Sequence, residues 1–131
     1  MRRKLSCVFL MLILFQGMHS IEEYIGELWE VFPPATWLCG QISEDLRLSF
    51  LIINSGLFLF GVISWLLVHF HDGSLVKTLI WFWIILGGLN GMGHVVWTIS
   101  SKSYTPGLIT AMAMIALVIV LFKSMIRSPS R

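Results

Sequence analysis

Charge is scarce in this chain. Of 131 residues, 12% are charged, against 56% hydrophobic and a mean hydropathy of +0.84. A water-soluble domain rarely carries so little charge, and nine Lys and Arg spread over the whole length make no basic surface for a nucleic acid. Cysteine is scarcer still, with only Cys7 and Cys39. Cys7 falls inside an apolar run and Cys39 beyond it. If that run spans a membrane they lie far beyond the ~5.5 Å between Cα atoms that a disulfide bridges, so they read as two unrelated thiols. No internal repeat is present, and no polar stretch is long enough for a soluble domain.

Long apolar runs fill the space that charge leaves. Residues 46–70, 75–99 and 105–123 each approach or exceed the ~20 helical residues that cross a hydrocarbon core of about 30 Å. The strongly apolar part of a further run, Leu5 to Phe15, is short, and it reaches a full span of 5–28 only by carrying His19, Glu22 and Glu23 along. Arg2, Arg3 and Lys4 followed by an apolar stretch also describe a secretory signal peptide. Phe15-Gln16-Gly17 and Met18-His19-Ser20, however, each put a large side chain where a cleavage site wants a small one, so an uncleaved helix is the better reading. Lys and Arg near span ends prefer the cytoplasmic side. With four spans and an internal N-terminus, that side holds Arg2, Arg3, Lys4, Lys77, Lys123, Arg127 and Arg131, leaving only Arg47 and Lys102 outside. Six of the seven acidic residues fall the opposite way, Asp72 being the exception. The expectation is an all-α bundle of four transmembrane helices, one integral membrane domain over 1–131, multi-pass in a cell membrane, with both termini cytoplasmic.

His19-Ser20-Ile21-Glu22-Glu23 spells H-x-x-E-E where the first helix is still in or near lipid. Ionisable groups at that depth are costly and are retained because they pair, bind or relay protons. Counting about 1.5 Å per residue from Lys4 puts His19 about 22 Å and Glu23 about 28 Å above the inner boundary. Counting from Lys77, Asn90 comes out about 20 Å and His94 about 26 Å up, in the same layer, and Asn54 falls about 12 Å below the outer boundary. Gln16, His19, Glu22, Glu23, Glu27 and Glu30 share one stripe of the first helix, and Asn90 and His94 are i,i+4 partners. Gly87 and Gly91 form G-x-x-x-G beside them, a seat for a close neighbour. The simplest packing sets the His/Glu stripe against this face. The fourth helix would open at Thr105-Pro106-Gly107, its free N–H groups favouring a carboxylate and Thr110 facing the cluster.

These residues resemble the family of membrane proteins named for the HXXEE motif. Its three short signatures occur here in order: His19 to Glu23, Asn90 to His94, and Lys102 with Pro106, Gly107 and Thr110. Lys102 stands where the family pattern carries arginine, and lysine is a point donor rather than a planar fork. The resemblance implies a small multi-spanning protein and brings no established activity.

Function therefore rests on the side chains. Two imidazoles and carboxylates are the donor set of a divalent ion such as zinc, iron or manganese. His19, Glu23 and His94 are the expected ligands, with Asn90, Lys102, Thr110 and Asn54 as supports around them. An open coordination position points to hydrolysis or redox chemistry on a lipid-like substrate. Glu22 and Glu23 are alternatively a general acid and base. A proton path is disfavoured, because the inner half supplies little beyond Ser64. The non-catalytic alternative is a helix clamp or partner-binding site, its hydrogen bonds each contributing about 0.6 kcal/mol. Four short helices could also associate into a homo-oligomer.

The remaining features read more blandly. His69 and His71 beside Asp72 suggest a solvated inner turn. Trp29, Trp37, Trp97 and Tyr104 suggest an aromatic belt, and Trp65, Trp81 and Trp83 packing within core or lipid. Residues 24–45, broken by Pro33-Pro34, are too apolar for an ordinary loop and either lie in the interface or fold over the site as a lid.

Overall fold

Every long apolar run forms a helix. The computed structural model describes residues 2–127, with α1 (Arg2–Ile25), α2 (Leu28–Val31), α3 (Pro33–Gly40), α4 (Leu46–Phe70), α5 (Ser74–Ser101) and α6 (Leu108–Arg127). The four long helices are each apolar and long enough to cross a membrane. No strand occurs among the described residues. Met1 and residues 128–131, including the Arg131 of the charge count, lie outside them.

Local chemistry sets the ends. The Asp45 carboxylate accepts the Leu48 N–H at 2.9 Å and starts α4, an N-cap contributing about 1 kcal/mol. Gly73, at φ 116°, turns the chain into α5. That helix runs past residue 99 and closes where exposed Lys102 adopts a left-handed φ of 51°. Two ends fall short of expectation. The first helix stops at Ile25 instead of 28, because Gly26 and left-handed Glu27 redirect the chain into α2. The last begins at Leu108 rather than 105, because Thr105-Pro106-Gly107 forms a turn with Gly107 at φ 91°, a conformation favouring glycine. Pro106 thus precedes the helix instead of opening it.

Around the bundle, α1 lies along α4 and α6, while α5 lies along α6 and more loosely along α4. α1 and α5 consequently face each other across the diagonal. The close seat at Gly87 and Gly91 belongs to α6, which corrects the expected α1–α5 packing. A Cβ on Gly91 would stand 2.7 Å from Ile115 Cγ1, and one on Gly87 3.2 Å from Val118 Cγ2. α1 and α5 still meet, through long polar side chains that span the axis where backbones do not touch.

Phe9, Leu12, Ile13, Ile80, Trp83, Met114 and Leu121 fill the half of the bundle nearer the termini. His69 lies inside α4, not in a turn, and its Nδ1 pairs with the Ser6 hydroxyl at 3.0 Å. At the other end α2 and α3 cover one flank of α4, with Leu28, Trp29, Cys39 and Phe50 in a small core of their own. Trp29 is thereby buried instead of lying in a belt, whereas Trp37 is 68% exposed.

Candidate metal centre

The polar half of the bundle is built by three helices. Successive residues of a helix point about 100° apart, so neighbouring glutamates face different partners. Glu22 turns to α6. Its Oε1 accepts the Tyr104 hydroxyl at 2.5 Å and the Ile109 N–H at 3.1 Å; its Oε2 accepts the Thr110 N–H at 2.9 Å and the Thr110 hydroxyl at 2.6 Å. A carboxylate so placed satisfies N–H groups that a helix start leaves unpaired and meets the positive end of its dipole. Glu23 turns instead to the axis. Its Oε1 lies 3.2 Å from His19 Nε2 and 3.0 Å from His94 Nε2.

The contacts of Thr110 are met by one tautomer of His19, with the proton on Nδ1. The single proton of the Thr110 hydroxyl goes to Glu22, so Thr110 Oγ1, at 2.8 Å, accepts from His19 Nδ1–H. Nε2 then keeps its lone pair and receives the Asn90 amide at 2.9 Å, so its 3.2 Å approach to Glu23 Oε1 is a contact without a proton between the two atoms. His94 donates from Nε2 to Glu23, and its Nδ1 is buried with no partner among the described residues. The two rings stand edge to face with centroids 4.7 Å apart. His19, Glu23 and His94 are 0%, 5% and 5% exposed.

Gly107 makes room for this. A Cβ there would fall 2.7 Å from His94 Cε1 and 2.8 Å from His19 Cε1. The turn before α6 can therefore reach both imidazoles only with glycine in that place.

One potential ligand atom each from His19, Glu23 and His94 lies within 4.8 Å of the others. The two shorter separations approach the roughly 3.4 Å edge of a tetrahedron whose centre binds at ~2.1 Å; the imidazole pair would have to close by up to about 1.4 Å. This group could hold a metal ion. The other residues expected at the site are placed differently. Asn54 accepts from the Ser20 hydroxyl at 2.8 Å and donates to the Phe50 carbonyl at 3.1 Å, tying α1 to α4. Lys102 makes no hydrogen bond to the cluster among the described residues. Tyr104, read from sequence as belt, instead bonds Glu22; only its position beside the α6 entrance hinted at this.

Residues 9–122 match the family described as proteins of unknown function with an HXXEE motif. The chain belongs to the HXXEE family. No curated protein and no solved structure matches it. In this HXXEE chain the motif's His19 and both glutamates enter the polar network, Glu22 at the head of α6 and Glu23 between the two imidazoles. Asn90 and His94 meet them from α5, and Gly107 and Thr110 from the head of α6.

Proposed function

We propose that this protein is an intramembrane metalloprotein in which His19, Glu23 and His94 bind one divalent ion, His94 carrying its proton on Nδ1 instead of Nε2 when it does so. Zinc, iron and manganese all accept two imidazoles and a carboxylate. The observation that carries this reading is the Glu22–Thr110–His19 chain of hydrogen bonds, which favours the imidazole proton on Nδ1 and a lone pair on Nε2, where an ion would take the place of the Asn90 amide. Partners of this kind orient metal-bound histidines and make them more basic. Glu22, fully engaged with α6, is a positioning residue acting through Thr110, and Glu23 is the carboxylate that touches the reacting centre. A bound ion supplies Lewis acidity toward a carbonyl or phosphoryl oxygen, or redox chemistry. Burial among apolar helices favours a lipid-like substrate. The division of basic residues supports both termini on the cytoplasmic side of a cell membrane and the site in its opposite leaflet.

A helix clamp is the second reading, favoured by the direct contacts of Glu23 with both histidines. Elemental analysis of detergent-purified wild type, His19→Ala and His94→Ala, with a thermal scan of each, separates the two. Near-stoichiometric metal, lost in both variants while the fold survives, is the expected result. No metal in the wild type, with both variants strongly destabilised, would establish the clamp instead.

A further inference from the structure

Where α4 and α5 pack loosely, the bundle opens sideways. A cavity of about 360 Å³ lies there, its outer walls formed by Ile53, Leu57, Leu86 and Leu89, with Ala35, Leu38 and Cys39 of α3 as its roof. Leu89 and Leu38, 71% and 48% exposed, stand on the surface that lipid would contact. The remaining wall is polar, with Gln16, Glu23 and Asn90 among its lining residues. Gln16 is 3% exposed, and its side-chain amide has no hydrogen bond among the described residues although its amide atoms are not fully buried. A buried amide without a partner is costly in an apolar surrounding. Here it lines a cavity that a ligand can enter.

We propose that this groove admits, from the lipid, a single-chain amphiphile with an uncharged hydrogen-bonding head, such as a monoacylglycerol. The head sits against Gln16, Asn90 and Glu23, and the chain runs between α4 and α5 beneath α3. Three features select this occupant. The volume is at the low end of the roughly 300–1,000 Å³ typical of small-molecule sites, which suits one hydrocarbon chain partly left in the bilayer. The amides of Gln16 and Asn90 offer both donors and acceptors. An anionic head would meet the Glu23 carboxylate, and no Lys or Arg lines the cavity to offset it. This deepens the metalloprotein reading by naming its substrate class and rests on it only for turnover, since binding in the groove requires no ion.

The test uses the full chain in phosphatidylcholine nanodiscs and three probes sharing one diazirine-bearing alkyl chain, headed by glycerol ester, carboxylate or trimethylammonium. Labelled positions are mapped by mass spectrometry and metal content is measured in parallel. Expected is saturable labelling by the glycerol ester on peptides holding Ile53, Leu57, Leu86 and Leu89, competed by untagged monoacylglycerol. Leu57→Trp and, at the exposed mouth where folding is least affected, Leu89→Trp should each weaken it roughly tenfold, about what losing ten or so of the alkyl chain's van der Waals contacts amounts to. Labelling spread over lipid-facing positions such as Leu59 and Ile109, unchanged in either Trp variant, would overturn the site. Preference for a charged probe would overturn the head assignment. Saturable labelling of a metal-free wild type would leave the groove standing and remove the metal; bound metal without saturable labelling would do the reverse.

Discussion

Thr110→Val removes one oxygen and little else, which makes it the sharpest probe of the site. Valine keeps the branched shape, and the backbone N–H groups of Ile109 and Thr110 that hold Glu22 are untouched. What goes is the acceptor, at 2.8 Å, for the Nδ1–H of His19, a residue that is fully buried. Leaving such a donor unpaired costs about 1–3 kcal/mol, and the hydroxyl's bond to Glu22 is lost as well. The ring is also freed to carry its proton on Nε2, facing Glu23, which blocks that nitrogen as a ligand. Loss of an outer partner of a ligating histidine typically lowers metal affinity about 10- to 100-fold. Competition with a fluorescent zinc chelator in detergent measures this, and nitrogen NMR of the imidazoles reports the tautomer. Thr110→Ser should retain most of the affinity. Wild-type affinity in the valine variant, with Nδ1 still protonated, would refute the assignment of Thr110 as the group that orders His19.

Two further substitutions probe the same corner. Gly107→Ala places a methyl 2.7–2.8 Å from both imidazoles at a φ of 91°, so strain of about 1–3 kcal/mol plus displacement of the rings is expected. A thermal scan unchanged from wild type would show that the turn moves freely and that glycine is dispensable there. Tyr104 is held neutral by the Glu22 carboxylate at its hydroxyl, which pushes its pKa up from 10.0 to about 12. A raised value means the bond is fully present below pH 10 and is lost as pH rises through about 12. In Tyr24→Phe, where Tyr104 is the sole tyrosine, ultraviolet titration should find that midpoint, falling back toward 10.0 when Glu22→Gln is added. A midpoint already near 10.0 with Glu22 intact would mean the bond does not form.

Depth and face are one-dimensional properties of a helix, and the chain alone determined both. Length and apolarity of the runs decided that there are four candidate spans. A constant rise placed His19 and Glu23 level with Asn90 and His94, and they do touch. The sequence put Glu22 and Glu23 in one stripe, and only the packing gave them separate partners on α6 and at the axis. The free N–H groups of the last long helix called for a carboxylate and received Glu22.

Neighbour order was decided only by tertiary structure. Any of the other helices could have occupied the Gly87/Gly91 face, because in lipid the choice depends on close packing and interhelical hydrogen bonds, with no hydrophobic drive to rank alternatives. Ile115 and Val118 of α6 fit there, and α1 was left to reach α5 across the diagonal through its side chains. That spacing also kept backbone out of the axis and left Gln16 beside a cavity instead of a partner. The turn at Gly107 came from the same source: a Thr-Pro-Gly sequence is compatible with a helix start or a turn, and only the two imidazoles packed against it explain why the left-handed one is used.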